Sequence, residues 1–128
     1  MKTIINTKQA PTPIGPYNQA VIANGIVYCS GQVAINPKDG SFCNGSIAEE
    51  TKMVLANLKA VLDSANSGIK QVIKCSIFLT NMDDFNEVNR VYADVFSNAD
   101  APARETVEVS RLPANARVEI SCIALTDV

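Results

Sequence analysis

An α+β fold, with two helices on one face of a mixed sheet, is what this 128-residue sequence predicts. Three observations carry the prediction. Two apolar runs flank an Asn-Gly pair, two later segments place apolar residues at helical spacing, and each of those segments is followed by residues that alternate apolar and polar.

The first signal lies in "NQAVIANGIVYCSGQVAI", where Asn24-Gly25 suits a two-residue type I′ hairpin turn because both central residues need positive φ. In the second arm Val27, Cys29, Gly31 and Val33 are expected on one face, with Ile26, Tyr28, Ser30 and Gln32 on the other. "NPKDG", at 36–40, reads as a turn. Ser46 with Glu49 three residues on forms a capping box, which opens a helix. Its stripe is Ile47, Thr51, Val54, Leu55, Leu58, Val61, Leu62 and Ala65, and Ser67-Gly68 is expected to end it with Gly68 at C′. "VIKCSIFLT" is a strand, with Ile73, Cys75, Ile77 and Leu79 set against Val72, Lys74, Ser76 and Phe78.

Asn81 can cap a second helix, with Asp83 and Asp84 in the first turn, where the helix dipole favours negative charge. Met82, Phe85, Val88, Tyr92, Val95 and Phe96 form its stripe, and Asn89 falls inside it. Two strands, "ETVEVS" and "RVEISCIAL", follow and are joined through "RLPANA". In the last, Val118, Ile120, Cys122 and Ala124 face one way and Glu119, Ser121, Ile123 and Leu125 the other. The order is two or three strands, helix, strand, helix, two strands, in which a long helix between strands makes a βαβ crossover. With no repeat, low-complexity segment or linker, residues 1–128 are expected to be one domain.

Helices on one face leave Ile26, Tyr28, Phe78, Ile123 and Leu125 on the other. An apolar patch of that kind is a liability on a monomer, so the second face is expected to be buried between subunits, with Glu119 near its rim.

Composition narrows the function. A hydrophobic content of 47% with 19% charged residues is ordinary for a soluble globular protein, and no apolar run is long enough to span a bilayer. "MKTIINTKQAPTPIGPY" has no apolar core of a secretory signal, so a cytoplasmic protein is expected. The net charge is −2, the pI about 5.0, and Lys and Arg are scattered, which argues against nucleic acid as a partner. Four cysteines without a C-x-x-C pair read as small buried hydrophobes in a reducing compartment. No metal site is expected, because the chain has no histidine to pair with them. Acid–base work would fall to a carboxylate, Tyr, Lys or thiol.

Several stretches, taken together, say more. "PIGPYNQAV", "SGQV", "NMDDFNEVN" with "VYADVF", "PAR" with "TVEV" and "LP", and "VEI" with "IAL" run in order along essentially the whole chain. In these the sequence resembles the Rid proteins, the YjgF-type reactive-intermediate (enamine/imine) deaminases. The resemblance implies a chorismate-mutase-like α+β protomer, a homotrimer with its sheets inside, and sites in inter-subunit clefts. It implies hydrolysis of 2-imino acids (2-iminobutanoate and 2-iminopropanoate), released by pyridoxal-phosphate enzymes, to 2-oxo acids and ammonia. Such an activity protects those enzymes and uses no cofactor or metal.

By the same resemblance Arg104 is expected to bind the substrate carboxylate and Glu119 to hold and activate the attacking water. Tyr17 would close the pocket, and Ser30, Gly31 and Asn89 would line it. The chemistry fits: a guanidinium offers a rigid fork of donors to a carboxylate, and a glycine lets backbone approach a ligand closely. Family members commonly carry Ser then Cys or Thr after the arginine, whereas this chain has Glu105-Thr106. Thr106 therefore stands at a substrate-binding position with no thiol nucleophile, and Glu105 is expected to point to the opposite face from Arg104. The rival readings are a non-catalytic ligand-binding or chaperone-like trimer, and the ribonuclease or translation-inhibitor activity reported for some relatives; the acidic pI counts against the last.

Overall fold

The computed structural model describes residues 1–127. A short strand, β1 (Thr3–Ile5), pairs antiparallel with β2 (Ala20–Ala23). The sequence gives little sign of β1, because only three residues of "MKTIIN" take part. The Asn24-Gly25 turn then forms as expected, with φ of +52° and +75°, and leads into β3 (Ile26–Gln32). Next come α1 (Ile47–Ser64), β4 (Val72–Leu79), α2 (Phe85–Val95), β5 (Ala103–Glu108) and β6 (Val118–Leu125). One mixed sheet results, in the order β1-β2-β3-β6-β4-β5, in which β4 and β5 are parallel and every other pair antiparallel. The α+β architecture is the one the patterns predict.

The core lies between the sheet and the two helices. Val54, Leu58, Val61 and Leu62 of α1 and Val88 and Val91 of α2 pack with Val27, Ile77, Val118, Ile120 and Ala124 of the sheet. Each large side chain so buried contributes roughly 1.5–3 kcal/mol. In β6 the predicted alternation holds along the whole strand. Cys29, Cys122 and Cys75 stand level with one another across β3, β6 and β4, all buried on the helix side. All four cysteines are free.

Three local expectations are corrected. Between Cys29 and Gln32 the pairing with β6 shifts, so that Cys29 opposes Cys122 while Gln32 opposes Ile120. Three steps on one strand face two on the other, which is a β-bulge, and an extra residue exchanges the faces beyond it. Gln32 is therefore buried on the helix side, and Gly31 turns to the opposite face against Glu119. A similar shift between Val72 and Lys74 buries Val72 and leaves Ile73 exposed, the reverse of the expected pattern. Finally, the C′ residue that closes α1 is Asn66 rather than Gly68. Asn66 takes φ of +53°, and its N–H and that of Ser67 donate to Asp63 and Leu62. That is a Schellman closure, in which asparagine tolerates the left-handed conformation.

One charged contact ties helix to sheet. Glu50 is fully buried in α1 and accepts from the backbone N–H of Arg117 at 2.7 Å, from Arg117 Nε at 2.7 Å and from the N–H of Val118. It fixes the start of β6, two residues before Glu119. On the face away from the helices Tyr28, Ile73, Val107 and Leu125 remain exposed, with Ile26, Phe78 and Ile123 partly so.

Candidate active site

Glu119 sits on the bare face of β6, opposite Phe78 of β4. It lines a cavity of about 350 Å³ together with Tyr17, Ser30, Gly31, Val33 and Ile35. Among the described residues no donor reaches its carboxylate, and burial pushes its pKa above the ordinary 4.5. Gly31 makes this arrangement possible: a Cβ there would lie 2.7 Å from Glu119 Cδ. The loop that carries Tyr17 is held from beneath by the buried amide of Gln19, which donates to the carbonyls of Thr7, Ala10 and Pro11 and accepts from the N–H of Thr7. Ser30 donates its hydroxyl to the Asn18 carbonyl at 2.7 Å, so it anchors the same loop. Tyr17 is half-exposed at the cavity mouth, its hydroxyl accepting from the N–H of Ile14.

Arg104 lies elsewhere. It belongs to β5, which begins two residues before the predicted strand "ETVEVS", and it stands level with the buried Cys75, hence on the helix side. Its guanidinium is 4.8 Å from the ring centre of Tyr92 and 5.7 Å from that of Phe85. It donates to Asn89 Oδ1 at 2.7 Å. Among the described residues no carboxylate pairs with it. The neighbouring cavity, of about 220 Å³, is lined by Asn89, Tyr92, Phe96, Pro102 and Arg104. Asn89 is thus an exposed partner of Arg104, not an amide buried under the stripe.

Glu105 points away from Arg104, as strand alternation predicts. It bonds to the Ser76 hydroxyl and to Lys74, at 3.1 Å, and these hold its carboxyl below the usual range. Thr106 shares the helix-side face, but its hydroxyl is buried without a hydrogen-bond partner and lines neither cavity. Among the described residues no cluster of three or more His, Cys, Asp or Glu is placed to hold a metal. The protomer brings together Tyr17, Ser30, Gly31 and Glu119 on one side, and Asn89 and Arg104 on the other. It does not bring the two groups to each other. The sequence reading missed the Gln19 latch and the apolar cavity wall of Val33, Ile35 and Pro113; the 11–20 loop gave no periodicity by which to find either.

The profile of the family described as endoribonuclease L-PSP matches residues 7–126. The chain belongs to the Rid (YjgF-type) family. A RutC family protein of Synechocystis is 47% identical over 123 residues, covering 95% of each chain. The human 2-iminobutanoate/2-iminopropanoate deaminase is 37% identical over 125 residues, 98% of this chain and 90% of its own. Among solved structures, a conserved Rid family protein of Yersinia pestis superposes with a TM-score of 0.95 at 47% identity, over 98% and 100% of the two chains. Escherichia coli TdcF with bound serine gives 0.91 at 35% identity, over 98% and 99%. The Rid fold and the α+β layering read from the sequence therefore agree. Among the described residues no helix is long and apolar enough to cross a membrane.

Proposed function

We propose that this Rid protein is a hydrolytic deaminase of small 2-imino acids, the 2-iminobutanoate/2-iminopropanoate class, acting as a homotrimer with its sites between subunits. The observation that carries the reading is the division of the site. Among the described residues, an arginine with no carboxylate partner lies in one cavity and a half-buried glutamate with no donor lies in another, on opposite faces of one sheet. Each is half of what an imino acid needs, and a second copy can supply the missing half. The exposed apolar residues on the bare face, Tyr28, Val107 and Leu125, favour such an association. The human and mite relatives that carry the deaminase name support the chemistry. TdcF binds serine, whose α-carboxylate and α-nitrogen are the groups an imino acid would present.

In this reading Arg104, steadied by Asn89, binds the carboxylate as a two-pronged pair. Glu119 from the neighbouring subunit orients a water and takes its proton as the oxygen attacks the C=N carbon. That proton passes to nitrogen to give a neutral carbinolamine, whose hydroxyl proton is then carried to the same nitrogen as the C=O bond forms and the C–N bond breaks, so that ammonia leaves with the 2-oxo acid. The reaction is already facile in water, so orientation and a fixed charge are the main requirements. Removal of reactive imines would in turn protect the pyridoxal-phosphate enzymes that release them.

The test is loss of imine in a semicarbazide-trapping assay coupled to a threonine dehydratase. Arg104→Ala and Glu119→Gln should each abolish most of the acceleration. Refolded together, the two variants should recover about a quarter of wild-type activity, since in a closed trimer one interface in four unites an intact Arg104 with an intact Glu119. Absence of recovery refutes the shared site. Full activity in Arg104→Ala refutes Arg104 as the carboxylate site, absence of acceleration by the wild type refutes the deaminase, and RNA cleavage that survives this substitution would favour the ribonuclease reading instead.

A further inference from the structure

Beyond the residues already placed around the substrate, we infer that Phe85 and Tyr92 are positioning residues that hold the Arg104 guanidinium without neutralising it. The inference rests on the deaminase reading only for the identity of the anion that Arg104 receives. Phe85, Asn89 and Tyr92 occupy positions i, i+4 and i+7 of α2, which puts all three on one face of the helix. Together they make a three-point cradle: two ring faces at 5.7 and 4.8 Å and one amide oxygen at 2.7 Å. A ring face attracts a cation through its quadrupole but carries no net charge. A carboxylate in the same place would fix the arginine equally well and use up the charge that an incoming anion needs.

The surroundings are consistent with that division of labour. Glu105, next in sequence, is turned to Lys74 and Ser76, and Glu108 accepts from the N–H of Met82. The Tyr92 ring is itself fixed, with only 5% of its surface exposed and its ring centre 4.6 Å from that of Phe96. Its hydroxyl is buried beside the Cys75 thiol, so the ring face is the part turned to Arg104. One guanidinium N–H is used on Asn89, which leaves donors free for a carboxylate.

The experiment combines arginine-detected ¹⁵N NMR with imine kinetics on the intact protein. In the wild type the Arg104 Nε–H proton should be shifted upfield by the two rings, and Tyr92→Leu should remove most of that shift. Tyr92→Leu should raise KM about fivefold, the size of one partly exposed cation–π contact, with kcat within about twofold, because the contact serves ground and transition states alike. Tyr92→Phe, which restores the ring alone, should return KM to within about twofold of wild type. Asn89→Asp should leave the Arg104 resonance in place yet raise KM more than tenfold by neutralising it. If Tyr92→Leu fails to fold, Phe85→Leu tests the same contact from the half-buried ring. The proposal is overturned if the wild-type resonance shows no ring shift, if Tyr92→Leu leaves KM unchanged, or if Tyr92→Phe costs as much as Tyr92→Leu. A ring-shifted Arg104 in a protein that turns over no imine would defeat the deaminase reading and leave the cradle standing.

Discussion

Replacing Gly31 with alanine changes one atom at the place where Glu119 is held. A Cβ at that position would lie 2.7 Å from Glu119 Cδ, 2.8 Å from Oε2 and 2.9 Å from Cγ. Non-bonded carbons settle at about 3.5–4.0 Å, so the carboxylate must retreat by roughly 1 Å. The atoms that move are the end of a flexible side chain bordering a cavity, so the cost in stability should be about 1 kcal/mol, the low end for overpacking. The cost to catalysis should be far larger, because a reacting group misplaced by about 1 Å can lose about 10²-fold. Gly31→Ala is therefore expected to lower kcat/KM for 2-iminobutanoate about a hundredfold, with the melting temperature falling by no more than about 4–8 °C. The imine can be generated in the cuvette by threonine dehydratase and trapped with semicarbazide, and the melt followed by calorimetry. Unchanged kcat/KM would show that Glu119 does not act on the substrate from this position. A collapse of stability in step with activity would show that Gly31 serves the fold and not the site.

The remaining predictions concern Glu119, which is half-buried, and Glu50, which is fully buried. Burial raises the Glu119 pKa, so its ionised form is penalised in the fold above that raised value, and the penalty disappears as pH falls below the ordinary 4.5. Glu119→Gln should thus melt higher than wild type at pH 7 and converge with it near pH 4, while turnover falls by about two to four powers of ten; a lower melting point at pH 7 would contradict the account. Burial alone places the acid limb of the wild-type pH–rate profile above 4.5, and a limb below that value would show that the facing guanidinium, not burial, sets the titration of Glu119. Glu50→Ala leaves the inner N–H groups of Arg117 and Val118 without their acceptor, and should destabilise by about 3–5 kcal/mol in urea unfolding. A loss under about 1 kcal/mol would mean that Glu50 is a surface charge in practice.

How far the sequence could be read depended on whether a residue's environment was local. Helix α1 was legible at its start because Ser46 and Glu49 bond to each other across three residues. Its end was not, since Asn66 and Gly68 can both adopt positive φ, and the choice depends on which carbonyls are within reach. The faces of β6 followed from period-two alternation, but the same rule failed at Gly31 and Gln32, because alternation assumes an unbroken register. A glycine inside a strand pattern is itself the signature of a bulge, and "SGQ" carries it. Glu50 was invisible in its role. It looks like one of two acids in a first turn, and its partner Arg117 lies 67 residues away. The cradle, by contrast, was present in the spacing of Phe85, Asn89 and Tyr92; what was missing was that β5 starts at Ala103, before the predicted "ETVEVS", and so includes Arg104.

That placement also explains why one protomer does not bring Arg104 and Glu119 to the same face. Arg104 stands level with Cys75, and Cys75 with Cys122, so the three share the helix-side face of the sheet. Glu119 is three residues from Cys122, an odd interval, and therefore faces the other way. Bringing both groups to one face within a single chain would require a one-residue slip of β5 or β6. In β6 the slip would turn Val118, Ile120, Cys122 and Ala124 out of a core in which none is more than 3% exposed. At roughly 1.5–3 kcal/mol for each large side chain, that loss rivals a typical domain's whole stability of about 5–15 kcal/mol. A bulge in β6 is no easier, since its alternation is unbroken from Val118 to Leu125 and it lies in the middle of the sheet. If an arginine and a carboxylate are to act on one small substrate in this fold, the hydrophobic core itself holds them apart, and a second copy of the chain can reunite them without disturbing it.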